Sequence, residues 1–254
     1  MKRIMKKQFR IAAFLLIGLA LLGALLLWLV QNGVIILNRP PRDRYPIRGV
    51  DVSTYQGEID WPTLVAQNID FAFIKATEGS SFTDPRFAYN YAAAQKTGIP
   101  IGAYHFFSFE SGGDTQAENF IKNVSPFSGM LPPVIDLELY GVFTKQAPET
   151  EAVRYELNRM LSALEIHYGI KPMLYTTEDC YKRYLANDYE DYDIWIRNIL
   201  CSPSLSAGRA WTFWQYTSRE RLDGYQGKET FIDMNVFYGN SSEWESYLMA
   251  LTHS

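Results

Sequence analysis

Pro132-Pro133-Val134-Ile135-Asp136-Leu137-Glu138-Leu139 reads as an apolar, β-branched strand that ends by presenting two carboxylates. Side chains two apart on a strand share a face, so Asp136 and Glu138 point one way and Leu137 and Leu139 the other. Like charges at neighbouring same-face positions are costly in a buried strand, because desolvation and mutual repulsion both oppose ionisation. Cleavage of a glycosidic bond uses such a pair, one carboxyl kept protonated and one kept ionised. Taken alone, these eight residues also fit a solvated strand end carrying two surface acids.

Two further acids fall in strand-like runs, Asp51 in Gly49-Val50-Asp51-Val52-Ser53 and Asp233 in Phe231-Ile232-Asp233-Met234-Asn235. Asp51 by itself fits a buried acid bonded to backbone. In a closed barrel the first and last strands are neighbours, which would bring Asp51 to Asp233 and both to Asp136 and Glu138. Tyr104, Tyr175, Trp214 and Gln215 also fall near strand ends. Ring faces stack on sugar C–H surfaces, and Tyr hydroxyls or Gln amides bond hydroxyl and acetamido groups, although aromatic residues in a barrel also serve as plain core. Lys75 and Glu78 are expected as a loop pair bordering the cleft, or as a solvated ion pair. His105 is not placed like a metal ligand, since His167 and His253 fall on a helix and at the tail; neither a metal site nor a cofactor is expected. There is no Gly-x-Ser-x-Gly elbow and no Cys–His couple for acyl transfer.

The elements that must hold these residues follow a rhythm. Apolar strand-like runs occupy 49–53, 71–76, 101–107, 133–139, 172–176, 193–197, 211–216 and 231–237. Helix-like segments separate the first six, at 60–67, 84–97, 114–124, 148–168 and 177–185. Asp60 and Asp84, each followed closely by Pro, open the first two, and Gly98 stops the second. Val153, Leu157, Met160, Leu161 and Leu164 form an amphipathic stripe that reads as core. After the sixth strand the helical period ceases. The fold class is therefore α/β, an irregular TIM-like barrel of five β–α units followed by three β-strands, with its site at the strands' C-terminal ends. An open doubly wound sheet is the alternative, but no Gly-rich phosphate loop follows the first strand.

The N-terminal end indicates where such chemistry would occur. Residues 1–10 carry Lys2, Arg3, Lys6, Lys7 and Arg10 without an acid, and residues 11–30 contain no charge. Twenty apolar residues match the bilayer core, and the basic flank stays cytoplasmic. The expected organisation is a cytoplasmic basic segment at 1–10, a single-pass signal anchor at 11–30, a linker at 31–46 and one domain at 47–254 outside the cytoplasm. A cleavable signal peptide is the rival, without a small-x-small site just after Leu29 to support it. Beyond Val30 there remain 19 basic residues against 28 acids, a net charge of about −9, which argues against a nucleic-acid partner. A monomer is expected. The two cysteines, Cys180 and Cys201, fall just beyond the fifth and sixth strands, where an oxidising setting would let them bridge.

Gly49-Val50-Asp51-Val52-Ser53-x-Tyr55-Gln56-Gly57-x-Ile59-Asp60-Trp61, Phe73-Ile74-Lys75-Ala76-Thr77-Glu78-Gly79, Gly102-Ala103-Tyr104-His105-Phe106, Val134-Ile135-Asp136-Leu137-Glu138, Trp214-Gln215-Tyr216 and Ile232-Asp233-Met234-Asn235 together resemble glycoside hydrolase family 25. These are lysozymes of the N-acetylmuramidase type, and the resemblance runs from about Ile47 to Gly239. It implies hydrolysis of the β-1,4 bond between N-acetylmuramic acid and N-acetylglucosamine in peptidoglycan glycan strands. It also implies Glu138 as general acid, with Asp51, Asp136 and Asp233 at the family's other acidic positions. Asp136 would stay ionised, to stabilise the oxocarbenium-like state or to orient the substrate's acetamide. A direct attack by water and a substrate-assisted route both remain open, as does a tethered module that binds wall without cutting it. Wall-binding repeats common in such relatives are absent from this sequence, and the membrane anchor would take their place.

Overall fold

The computed structural model describes residues 2–252, which divide into two units after Leu37. The first is α1 (Lys2–Gln31), whose stretch Arg3–Gln31 is long and apolar enough to cross a membrane. Gly33, at φ 68°, turns the chain back so that the amides of Val34 and Ile35 donate to the carbonyl of Leu29. This left-handed cap closes the helix and satisfies its last carbonyls.

The second unit is a barrel. In chain order its strands are β1 (Arg48–Val52), β2 (Phe71–Glu78), β3 (Phe82–Thr83), β4 (Ile101–Phe106), β5 (Val134–Leu137), β6 (Met173–Thr177), β7 (Ile194–Arg197), β8 (Phe213–Glu220) and β9 (Ile232–Phe237). Pairing runs β1-β9-β8-β7-β6-β5-β4-β2, and β1 pairs with β2 to close the ring of eight. β3 adds a short antiparallel hairpin at the end of β2. From β1 through β8 the closing strands are parallel, joined by α2 (Trp61–Val65), α3 (Phe87–Gln95), α4 (Gly113–Asn123), α5 (Thr150–Tyr168) and α6 (Glu178–Cys180), the last continuing as a π-helical turn over Tyr181–Leu185. β9 is antiparallel to both β8 and β1. No helix lies between β8 and β9, and a strand that returns without a crossover must run the other way.

Strand alternation divides the side chains into two sets. The outward set, with Val50, Ile74, Ile135, Leu174, Ile196 and Trp214, packs in the large core that includes the α5 stripe of Val153, Leu157, Met160, Leu161 and Leu164. The inward set fills the base of the barrel with Phe71, Phe73, Met173, Trp195, Phe213 and Phe237. Phe73 stacks on Trp195 at 4.5 Å between ring centroids. Such a plug leaves no room for side chains opposite. A Cβ on Gly49 would lie 2.4 Å from the Phe71 ring, and one on Gly102 would lie 2.7 Å from the Phe73 ring.

Four local features differ from the reading of the sequence. β2 extends to Glu78, so Lys75 and Glu78 belong to a strand rather than a loop. Asp60 caps α2 as read, but Asp84 does not cap α3; its carboxylate accepts from the amides of Thr54 and Arg86 and ties two loops together. The helices do not stop after the sixth strand: α7 (Ser241–Thr252) closes the base, its Trp244 ring 5.0 Å from Phe237 and 5.5 Å from Phe71. The last part of the expected linker, residues 38–46, is bound to the barrel. There Tyr45 is buried against Trp211 and Trp214, and the buried Arg48 guanidinium donates to the Pro40 carbonyl at 2.6 Å and the Tyr216 hydroxyl at 3.0 Å.

The Gly49 contacts include the Phe71 carbonyl at 2.5 Å, which cannot yield as a side chain does. Gly49→Ala is therefore expected to destabilise the barrel by about 1–3 kcal/mol or more, seen as a lower urea midpoint with an unchanged slope.

Candidate active site

The open half of the barrel is a cleft of about 410 Å³ at the C-terminal ends of the parallel strands, lined by Asp51, Asp136, Glu138 and Asp233. Tyr104, Tyr175, Trp195, Arg197, Gln215 and Lys75 complete most of its walls. A second lobe of about 300 Å³ shares Asp51, Tyr104 and Asp233 and runs on past Ser218, Glu229 and Phe231.

Direction and register bring the acids together. Asp51 near the end of β1 faces Asp233 near the start of β9, in register, because β9 runs antiparallel. Asp136 lies on β5, and Glu138 stands one residue past the end of that strand at Leu137. Asp51 Oδ2 accepts from Gln215 Nε2 at 2.9 Å and from Asn235 Nδ2 at 2.8 Å. Each amide is itself oriented from behind: the Tyr175 hydroxyl donates to Gln215 Oε1 at 3.0 Å, and Trp195 Nε1 donates to Asn235 Oδ1 at 2.8 Å. Asp136 Oδ1, by contrast, is buried without a protein partner.

All four carboxyls are harder to ionise than in water, burial being the largest cause in each. Asp51 is raised to about 6, held there rather than higher by its amide donors, by Arg197 and by a hydrogen bond from Asp233. Asp136 is driven well above the carboxylate range by burial and then by the charge of Glu138. Burial likewise drives Asp233 far up, with Asp51 adding to it. Glu138 is raised by burial against the pull of Arg197. Burial and the neighbouring acids thus push Asp136 toward its protonated form, while two amide donors favour the charged form of Asp51. Tyr104 and Tyr175 are pushed well up by burial and by these acids, so both remain hydroxyl donors.

Of the other expected site residues, Lys75 lines the cleft, 4.9 Å from the Phe106 ring centroid, and pairs at 2.7 Å with Glu78, which is about half exposed and borders the cleft without lining it. Trp214 is outside. With Gln215 inward, its neighbours Trp214 and Tyr216 must face outward, and the Trp214 indole packs on Trp211 and donates to the Asn198 carbonyl at 2.8 Å. Trp195 borders the cleft instead, buried and stacked on Phe73. Arg197 and Asn235 were missed as well, although each lies two residues from another inward position, Trp195 and Asp233 respectively. His105 is buried between Thr77 at 2.7 Å and Gln116 at 3.0 Å, and burial lowers it to about 4, so it is neutral. The cysteine bridge is not formed. Cys180 is buried in the outer core, while Cys201 is exposed and accepts from Asn198 Nδ2.

Carboxyls of raised pKa, aromatic walls and hydroxyl and amide donors at the mouth of a barrel suit the cleavage of a glycosidic bond. Residues 50–225 match the family described as glycosyl hydrolases family 25. The chain is 31% identical over 230 residues to Lysozyme M1 of Streptomyces globisporus, covering 84% of this chain and 74% of that one. Among solved structures, a family 25 glycosyl hydrolase from Bacillus anthracis superposes with a TM-score of 0.77 at 55% identity, covering 82% of this chain and 95% of the other. The bacterial lysozyme of Streptomyces coelicolor gives 0.70 at 30% identity, covering 81% and 96%. The chain belongs to glycosyl hydrolases family 25 and is a glycoside hydrolase of the lysozyme class.

The acids carry a signature in stability. A folded-state pKa above the unfolded value of about 3.9 means that, as pH rises from about 4, the unfolded chain releases its proton first and stability falls. For Asp51 that window runs from about 4 to about 6, and for Asp136 it extends higher. Asp136→Asn should therefore be more stable than the parent at pH 7, with the gain absent at pH 4. Urea unfolding at the two pH values checks this; an equal gain at both would refute the electrostatic origin.

Proposed function

We propose that this chain is a membrane-tethered peptidoglycan hydrolase that cuts the β-1,4 bond between N-acetylmuramic acid and N-acetylglucosamine, with Glu138 as general acid. The observation that carries the reading is the position of Glu138: one residue beyond β5, in the cleft with Asp136, Asp51 and Asp233, where burial makes its carboxyl harder to ionise. A raised pKa keeps a carboxylic acid protonated near neutrality, as donation to a leaving oxygen requires. The lysozyme relatives support the choice of substrate.

As the glycosidic oxygen takes the Glu138 proton, positive charge grows on the sugar ring. Water or the substrate's own acetamide bonds the anomeric carbon, and the proton that water releases returns to the Glu138 carboxylate. Asp136 then stabilises the oxocarbenium-like state or orients the acetamide. Asp51, fixed by Gln215 and Asn235, and Asp233, bonded to it, supply the second carboxyl pair on the facing strands. Tyr104 and Tyr175 offer hydroxyls to the sugar.

Glu138→Gln should keep the fold and lower turnover by at least about 100-fold, since the amide is nearly isosteric and cannot donate the proton. Digestion of purified peptidoglycan followed by mass analysis should give reducing muramic-acid ends. Near-normal turnover in the variant would remove Glu138 from this role, and other reducing ends would change the bond assigned.

The tether follows from α1 and its basic flank, Lys2, Arg3, Lys6, Lys7 and Arg10, which holds the helix N-terminus in the cytoplasm. The full-length protein should sediment with membranes and resist carbonate extraction. A mature N-terminus beyond Val30, recovered from the medium, would show a cleaved signal peptide instead.

A further inference from the structure

The main cleft is lined by two cations, Lys75 on β2 and Arg197 at the end of β7. Lys75 is engaged by Glu78 at 2.7 Å. Arg197 is half-buried, and among the described residues no carboxylate pairs with its guanidinium and no acceptor bonds it. Its surroundings keep it so. β7 sets Arg197 opposite Thr177 of β6 and Gln215 of β8. The acid that directly follows β6 is Glu178, and its Oε1 already accepts from Asn198 Nδ2 at 2.8 Å and from the Ser204 amide at 3.3 Å. Asn198 is fixed in turn, its own amide on the Gln215 carbonyl and its Oδ1 accepting from the amides of Leu200 and Cys201 at 3.0 Å. The residue after Arg197 thus occupies the carboxylate that stands beside Arg197 on the next strand.

Along the wall β5-β6-β7-β8-β9-β1, Arg197 lies between Glu138, just past β5, and the facing pair Asp51 and Asp233. Its charge favours the ionised form of all three, yet burial outweighs it at each. A counter-ion built for those acids would touch one of them. Arg197 instead presents its planar fork of N–H donors to the cleft, a shape that takes a carboxylate through two parallel bonds. In the reading above, Glu138 lies against the scissile oxygen, so a group carried on the sugar ring being cut comes to this same wall. That ring is muramic acid, distinguished by a lactyl ether that ends in a carboxyl. In intact wall the carboxyl is an uncharged amide to the stem peptide, and the peptide's own carboxylates lie at least one residue, about 3.5 Å, further out. Hydrolysis adds water across that amide, leaving the amine on the peptide and a free carboxylate on the sugar.

We propose that Arg197 binds the free lactyl carboxylate of muramic acid, so that the substrate is glycan strand from which an amidase has already removed the stem peptides. This rests on the muramidase reading above and adds an order of events to it: amide hydrolysis supplies the substrate, and cleavage of the glycosidic bond consumes it.

Three forms of one glycan strand test this: bearing stem peptides, freed of them by an amidase, and freed with the exposed carboxyl then converted to its methylamide. For the full chain, kcat/KM should be at least about tenfold higher on the free carboxylate than on the methylamide, with stem-bearing strands no better than the methylamide. The preference should vanish in Arg197→Gln and be intermediate in Arg197→Lys, which keeps the charge and loses the fork. Whatever Arg197 does for the acids acts on all three strands alike, so the ratio reports the carboxylate alone. Equal rates on the three strands, or a ratio that survives Arg197→Gln, would overturn the proposal. Calorimetric binding of the same strands to Glu138→Gln decides it independently of turnover: the carboxylate form should bind at least about tenfold tighter than the methylamide, and equal binding would overturn it. A parent chain that cuts none of the strands, with that binding preference present, would overturn the muramidase reading and leave the carboxylate site standing.

Discussion

In a closed barrel each strand has one inward set of side chains, and no strand can change its set without displacing its neighbours. The architecture of this enzyme depends on that parity. It turns Asp51, Asp136, Gln215, Asn235 and Asp233 toward one another and Trp214, Tyr216, Ile135 and Val236 toward the helices. The same parity sets Gly49 and Gly102 against the rings of Phe71 and Phe73, so that aromatic rings fill the base of the barrel beneath the carboxyls. The aromatic plug is thus part of the acid chemistry, because it removes solvent from beneath the acids.

Desolvation is the largest influence on each of the four carboxyls, and the cations available to oppose it are few. Lys75 is already engaged by Glu78, which leaves Arg197 as the main positive influence on Asp51, Glu138 and Asp233. Neutral amides do the rest. Gln215 and Asn235 hold Asp51 without adding charge, and Tyr175 and Trp195 keep those amides from rotating. An arrangement of this kind is less stable than an apolar core would be, and it raises the proton affinity of its carboxyls.

Much of the fold was legible because its signals are local. The β–α rhythm, the Asp60 cap and the α5 stripe depend on residues close in sequence, and barrel closure alone brings Asp51 to Asp233. Other features depend on partners distant in sequence. A helix as weakly amphipathic as α7 is recognised only once the aromatic base it covers is known, and the two-residue β3 has no pattern of its own. Residues 38–46 looked like a spacer, since their Pro and Arg residues give no hint of the buried Arg48 side chain that binds them. Trp214 is a different case: fixing Gln215 as inward was enough to place it outside, and the same alternation applied from Asp233 would have found Asn235.

Closure of the ring by its last strand also orders events in time. Asn235 and the carboxylate it holds on Asp51 are 184 residues apart, so a growing chain contains most of the barrel before it contains the strand that completes the cleft. Contacts of such sequence separation form late and slowly, because a long loop must be ordered before they reward it. An unfinished polypeptide therefore carries its acids dispersed, without the enclosure that raises their proton affinity. Hydrolytic competence therefore arrives only when β9 has been made and has closed the ring.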